Sequence, residues 1–171
     1  MSPSQTIGEL LENQIENFKS DLNQDVTWAF VVLVGHRPNN LTLVVVGHFL
    51  VEHLLDQIIL NKCKEPSKIV NYTFSVKMQF LNSMGLLTSD CYKNIVKLNS
   101  IRNKLVHTLE TGLLEKDMVF YKSNGKAVTI KKTKNVEGFY IKVLVNGILI
   151  TLRNHMLATL KISPNFSKLD D

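Results

Sequence analysis

Apolar residues recur every three or four positions along most of the chain, a spacing that predicts helices. The first such stretch begins after Thr6, a capping residue with Glu9 three positions later, and ends near Asp21. Its apolar positions are Ile7, Leu10, Leu11, Ile15, Phe18 and Leu22. We therefore expect an amphipathic first helix. Residues 25–34, which hold the only tryptophan, are compatible with either a helix or a strand.

Residues 41–60 are the most apolar stretch, and their length favours a helix. Apolar side chains occur on almost every side of it, which predicts a central, buried helix. Its richest side holds Val44, Val51, Leu55 and Ile58, and His48 and Glu52 lie close beside that side. The stretch also holds His53 and Asp56, and four such polar residues in twenty argue against a membrane span.

Two shorter patterns follow a loop at residues 62–67. Residues 74–84 predict a helix that stops at Gly85 with a left-handed cap. A new helix then starts at Ser89, with the acidic Asp90 in its first turn, and runs to residue 110. The order of these elements indicates helices joined by short connections.

The character of the chain changes after Gly112. Residues 118–121 and 127–131 flank an Asn-Gly pair and predict a β-hairpin. This is the most basic part of the chain, with Lys122, Lys126, Lys131, Lys132 and Lys134. An apolar helix returns at residues 137–160 and ends before Pro164. We expect an all-α bundle of about five helices in one domain, residues 1–171, with a basic excursion at 112–136 and a small β-hairpin insertion near 118–132.

The composition excludes few classes of protein. The chain is 44% hydrophobic and 20% charged, which is ordinary for a globular protein. Twenty Lys and Arg against fifteen Asp and Glu permit an anionic partner such as RNA without requiring one. Two cysteines do not make a disulfide framework, and the first eleven residues lack the pattern of a signal peptide. We expect a cytoplasmic protein with no membrane segment, metal or other cofactor.

One arginine stands out in the helix at 89–110. At about 100° per residue, Leu98, Ile101, Leu105 and Leu109 form an apolar stripe with Ile95 and Val106 at its edge. Arg102 falls inside it, between Ile95 and Leu109. A buried guanidinium costs several kcal/mol unless it is paired. Arg102 therefore needs a carboxylate, carbonyl groups, a partner chain or a phosphate, and Glu52 is the carboxylate that we expect to pair with it.

The sequence around Arg102 resembles a known family. Arg102-Asn103 followed by His107 resembles the motif of the HEPN superfamily of helical domains. The ordered set of Phe74-Ser-Val-Lys77, Met84-Gly-Leu-Leu87 and Ile101-Arg-Asn-Lys-Leu-Val-His107 is similar to the mannitol operon repressor group within it. The resemblance covers about residues 41–110 and leaves the basic segment 113–136 without a counterpart.

The resemblance implies a metal-independent endoribonuclease, with a composite site at a homodimer interface and Arg102, Asn103 and His107 in catalytic roles. Such enzymes act as toxins or defence effectors, which implies RNA as substrate and a cognate antitoxin or another protein partner. The chemistry suits these residues. A histidine that titrates near neutrality can move the proton of a ribose 2′-hydroxyl, and an arginine fork can hold a phosphate. We expect His48 and Glu52 to support the site.

Structural interpretations stand beside these functional ones. Arg102 could simply pair within the bundle, His107 could interact with the helix dipole, and His48 could be a core histidine. The hairpin lysines could be a solvated surface or an RNA-contacting arm. Three classes of function therefore remain: a ribonuclease, a non-catalytic HEPN-like regulator, and a dimeric interaction module. By the helical wheel, Arg102 and His107 lie well over 90° apart, so a catalytic site would need a second chain.

Overall fold

The computed structural model describes Phe30 and residues 39–107, 113, 118–131 and 136–165. This part of the chain is mostly helical and carries one two-stranded sheet, which confirms the all-α bundle with a small hairpin. Its helices are α1 (Asn40–Lys62), α2 (Pro66–Ile69), α3 (Phe74–Ser83), α4 (Ser89–His107) and α5 (Val136–His155), which continues as a π-helical turn over Met156–Leu160. The predicted first helix and the segment at 25–34, apart from the buried Phe30, lie outside the described residues.

Helix α1 forms the centre of the fold. It begins at Asn40 because the side chain of Asn39 accepts a hydrogen bond from the backbone amide of Thr42, at 2.8 Å. It packs against α4 and α5 and buries nine residues, which are Leu43, Val44, Gly47, Leu50, Val51, Leu54, Leu55, Ile58 and Ile59. At Gly47 a Cβ atom would lie only 2.5 Å from Cγ2 of Val145, so the glycine lets α1 and α5 approach closely.

Helix α1 is central, as predicted, but one face of its first half is exposed. Leu41, Val45 and Phe49 are 43%, 45% and 52% exposed, and they lie four residues apart on one face. Beside this face, α3 brings Phe74 against His48 and Lys77 against Glu52. An apolar stripe of two turns is left exposed next to these contacts.

The predicted turn at Gly85 is confirmed. Gly85 has a φ of 67°, and the amides of Gly85 and Leu86 donate to the carbonyls of Asn82 and Leu81. This is the Schellman arrangement, which satisfies the last carbonyls of α3 and favours glycine. The loop predicted at 62–67 differs in part, because Pro66 starts the one-turn helix α2. Its fixed φ and missing N–H suit the first helical position.

The hairpin lies against α4 and α5. Strand β1 (Val119–Tyr121) pairs antiparallel with β2 (Ala127–Thr129), in the register that joins Phe120 to Val128. The amide of Gly125 donates to the carbonyl of Lys122, and Gly125 has a φ of 76°. These features make the three-residue hairpin loop in which a type I turn is followed by a left-handed glycine.

Two of the helices are long and apolar enough to cross a membrane by length and composition alone. They are Asn40–Lys62 and Val136–Leu160, with mean hydropathies of 1.7 and 1.3. Core helices of compact domains pass the same test, and α1 buries 56% of its apolar window within this fold. A membrane span would also have to place the ion pairs that Glu52 and Asp56 make with Lys77 in hydrocarbon, which is costly.

Candidate functional site

Polar side chains from three helices meet beside the open stripe of α1. His48 and Glu52 lie one turn apart on α1, Phe74 and Lys77 come from the first turn of α3, and Arg102 comes from the last two turns of α4. The His48 and Phe74 rings are in contact, with centroids 3.8 Å apart, and Lys77 bonds Glu52. A side-chain hydrogen bond between His48 and Asn99 of α4 brings the helix of Arg102 to the same junction. The sequence had singled out His48, Glu52 and Arg102, and the structure brings these three together.

Arg102 is half-buried, and its guanidinium has a polar partner on its own helix. Its Nη1 donates a hydrogen bond to Oδ1 of the exposed Asn103, at 3.2 Å. Among the described residues Arg102 makes no ion pair with a carboxylate. The guanidinium therefore keeps most of its five donors for another group. Because the side chain is long, it reaches Asn103 although the two positions lie about 100° apart around the helix.

In place of the expected Arg102–Glu52 pair, the structure has a pair between Lys77 and Glu52. Lys77 is only 4% exposed, and its Nζ lies 2.9 Å from Oε1 of Glu52. The same Nζ lies 2.8 and 3.0 Å from Oδ1 and Oδ2 of Asp56. The carboxylates of α1 do pair with a cation from a neighbouring helix, but that cation belongs to α3.

The ionisation of this three-residue cluster follows from its burial and its pairing. Burial by itself disfavours the charged lysine, but hydrogen bonds to Asp56 and Glu52 outweigh it and raise the pKa of Lys77. Burial raises the pKa of Asp56, although the bond from Lys77 opposes that rise. The two effects are consistent, because a nearly buried lysine shared between two carboxylates leaves more negative charge than one cation balances.

Lys77, like Arg102, is a cation at the edge of an apolar helix face, and this pattern is visible in the sequence. On the wheel of α3, Lys77 lies at the edge of the apolar side formed by Phe74, Met78 and Leu81, and all four are buried. A cation at that position needs a partner from the next helix. Sequence reasoning passed over Lys77 because it followed the motif on α4 and not the cations of every amphipathic helix.

His48 is a titratable group of the candidate site whose pKa responds to the charge of Arg102. Burial lowers the pKa of His48, and the positive charge of Arg102 acts in the same direction. Glu52 and a hydrogen bond with the side chain of Asn99 oppose this shift. The imidazole is therefore mainly neutral at pH 7, and its buried Nε2 has no hydrogen-bond partner among the described residues. A neutral imidazole beside a guanidinium can accept or donate a hydrogen bond without adding positive charge.

The third residue of the motif, His107, is the last residue of α4. Its side chain is outside what the structure describes, so its role remains a prediction. The backbone places it one turn after Asn103, on the same side of the helix. The final turns of α4 therefore hold Arg102, Asn103 and His107. Asn99, one turn before Asn103, bonds the side chain of His48 on α1.

Two other kinds of chemistry have little support in the described part of the chain. No group of three or more His, Cys, Asp or Glu side chains is placed there to hold a metal ion. Cys63 and Cys91 are both free thiols, and burial raises the pKa of each, which disfavours the reactive thiolate.

Comparison with known proteins adds no assignment: neither protein-family models, nor curated proteins, nor solved structures gave a match to this chain. Its function is therefore inferred from its own residues and their geometry.

Proposed function

We propose that this protein is a HEPN-type endoribonuclease that cleaves RNA without a metal ion, by attack of the ribose 2′-hydroxyl on the adjacent phosphate. The observation that carries the proposal is the state of Arg102. It is half-buried, it is oriented by Asn103, and it has no carboxylate partner in the described part of the chain. A guanidinium held in this way is suited to bind a phosphate through two parallel N–H bonds.

The residues of the motif have complementary tasks in this reaction. His107 takes the proton from the 2′-hydroxyl, and the 2′-oxygen then forms a bond to phosphorus. Arg102 stabilises the negative charge that develops on the phosphorane oxygens. The bond to the 5′-oxygen breaks, and the imidazolium of His107 gives its proton to that leaving oxygen. The products are a 2′,3′-cyclic phosphate and a 5′-hydroxyl end. Asn103 keeps the guanidinium in place through the bond from Nη1.

A homodimer would complete the site. His107 follows Arg102 by 140° around α4 on an ideal wheel, so a second copy of the helix is needed to place a histidine opposite each arginine. Exposed apolar side chains on the two helices near the motif support such an interface. They are Leu41, Val45 and Phe49 on α1 and Val96 and Val106 on α4. We infer a cytoplasmic toxin or defence effector, which a cognate antitoxin or another protein would hold in check.

The test is cleavage of a fluorescent single-stranded RNA in the presence of a chelator. Wild-type protein should give products with cyclic phosphate ends, and Arg102→Ala and His107→Ala should each lower the rate by at least about a hundredfold. Arg153→Ala is the matched control, because Arg153 is a half-buried arginine on α5 outside the site. Full activity in His107→Ala would remove His107 from the mechanism.

A second candidate function is a non-catalytic HEPN-like regulator or dimeric interaction module. One observation favours it: Glu52 and Asp56 are held by Lys77, so most charged groups of the junction are structural. In that case Arg102 would bind a group of the partner chain. A well-folded dimer that cleaves no RNA, and that loses its dimer interface in Phe49→Asp, would establish this alternative.

A further inference from the structure

The net positive charge of the protein is concentrated in one segment. Residues 118–134 hold five lysines and no aspartate or glutamate, whereas the rest of the chain holds fifteen Lys and Arg against fifteen Asp and Glu. The segment therefore accounts for the whole formal charge of +5. Lys122, Lys126 and Lys131 are exposed. A positive surface of this kind attracts a polyanion, while the remainder of the molecule is electrically balanced.

The hairpin that carries these lysines is fixed to the bundle. Asn94 of α4, only 4% exposed, donates to the backbone carbonyl of Tyr121 and accepts from its amide, both at 2.8 Å. The amide side chain thus occupies the place of a third strand beside β1. Further along the same edge of β1, the hydroxyl of Tyr140 donates to the carbonyl of Val119, at 2.8 Å. The ring of Phe120 lies against Gly147, where a Cβ atom would come within 2.9 Å of it.

Helix α4 extends the basic surface towards His107, along the side of the helix opposite to Arg102. Lys93, Lys97 and Lys104 fall within about 40° of one another around the helix, and the row they form spans about 16 Å. At its start, Nζ of Lys93 lies 5.4 Å from the ring centroid of Tyr121 in β1, so the row begins at the hairpin. It ends three residues before His107. A chain of phosphates that follows this row would reach the last turn of α4.

We propose that the hairpin tip and this lysine row form the surface that binds the phosphate backbone of single-stranded RNA and leads it to the end of α4 where His107 lies. The choice of RNA rests on the proposed function, since the charge pattern itself indicates only a polyanion. An anionic membrane fits less well. The tip between Lys122 and Lys126 consists of Ser123, Asn124 and Gly125, and it offers no apolar side chain for insertion.

Binding is measured by fluorescence anisotropy with a single-stranded RNA of mixed sequence. The full chain carries His107→Ala, so that the RNA stays intact, and each variant is first checked for its helical content and melting temperature. The double variant Lys122→Ala/Lys126→Ala should bind roughly tenfold more weakly at about 150 mM salt. Its plot of log affinity against log salt should be flatter by about 1.4, which corresponds to the loss of two phosphate contacts.

The matched control is Lys64→Ala/Lys142→Ala, which removes the same charge from two exposed lysines outside this surface. Its affinity and salt slope should equal those of the parent. Equal weakening by both double variants would mean that net charge alone attracts RNA, and it would overturn the proposal. So would an unchanged affinity in the hairpin variant, or binding to vesicles of anionic lipid with no binding to RNA.

A failure of the RNA-binding surface can be distinguished from a failure of the proposed ribonuclease function. Cleavage is followed with wild-type protein in a separate reaction. If wild-type protein cleaves RNA but the hairpin variant keeps its KM, the catalytic assignment stands and the binding surface is wrong. If RNA binds through the hairpin but is never cleaved, the surface is right and the catalytic assignment is wrong.

Discussion

Replacing Lys77 by methionine would test how the ion cluster between α1 and α3 contributes to stability. Methionine keeps most of the apolar stem and removes the charge, so the change isolates the pairing with Glu52 and Asp56. Removing one partner of a buried ion pair costs about 3 to 5 kcal/mol. The carboxylate side chains are 32% and 25% exposed, so water compensates part of that loss. We expect the free energy of unfolding to fall by about 3 kcal/mol at pH 7, or about 6 to 12 °C in Tm.

The loss should depend on pH in a defined direction. Burial raises the pKa of Asp56 above its ordinary value, and Lys77 opposes that rise, so the pKa of Asp56 should climb further in the variant. A carboxyl whose pKa is raised by folding stabilises the fold at low pH, and this contribution is lost as pH rises through the folded pKa. The raised pKa of Lys77 keeps the wild-type lysine charged throughout the acidic range. The difference between the two proteins should therefore be largest near pH 7 and shrink towards about pH 4.

Chemical denaturation followed by circular dichroism at several pH values gives the required free energies. Lys68→Met is the control, since Lys68 pairs with Glu65 on the surface with both side chains mostly exposed. It should cost at most about 0.5 kcal/mol at any pH. A loss below about 1 kcal/mol in Lys77→Met, or a loss of equal size at both ends of the pH range, would refute the reasoning.

Three further variants test other contacts of the fold and site. Asn94→Leu leaves the backbone amide and carbonyl of the hairpin without their partners, so it should cost about 2 to 4 kcal/mol in denaturation and speed hydrogen exchange in the hairpin. Gly47→Ala should cost about 1 to 3 kcal/mol although alanine favours helices, because its Cβ would press on Val145, and adding Val145→Ala should restore much of the loss. In NMR titrations the pKa of His48 should lie below its ordinary value and should rise in Arg102→Gln, because removing a positive charge favours the imidazolium; no change would mean that the two side chains are far apart.

Local signals in the sequence predicted the elements well where one residue type has a strong backbone preference. Gly85 and Gly125 both adopt positive φ, and they end α3 and close the hairpin as expected. The stripe on α4 is also confirmed, since Ile95, Leu98 and Ile101 are buried. These features depend on neighbours in sequence, so a single sequence contains the information.

Contacts between helices were harder to predict, because a helical wheel gives the face of a residue but not the helix that meets it. Glu52 lies where a carboxylate was expected, yet its partner is Lys77 and not Arg102. The open stripe at Leu41 was missed for the same reason. Periodicity predicts an apolar face, but the positions of the neighbouring helices decide which parts of it are covered.

Two cations lie at the edges of apolar stripes, and they differ in whether a carboxylate pairs with them. Lys77 is almost buried and pairs with two carboxylates, so its charge is neutralised within the fold. Arg102, on the next helix along, bonds only the amide of Asn103 within the described residues, and its charge helps to lower the pKa of His48. Desolvation disfavours a half-buried charge that lacks an opposite charge, and binding an anion would relieve that cost. The same physical requirement makes Lys77 a structural residue and leaves Arg102 as the group to which a phosphate should bind.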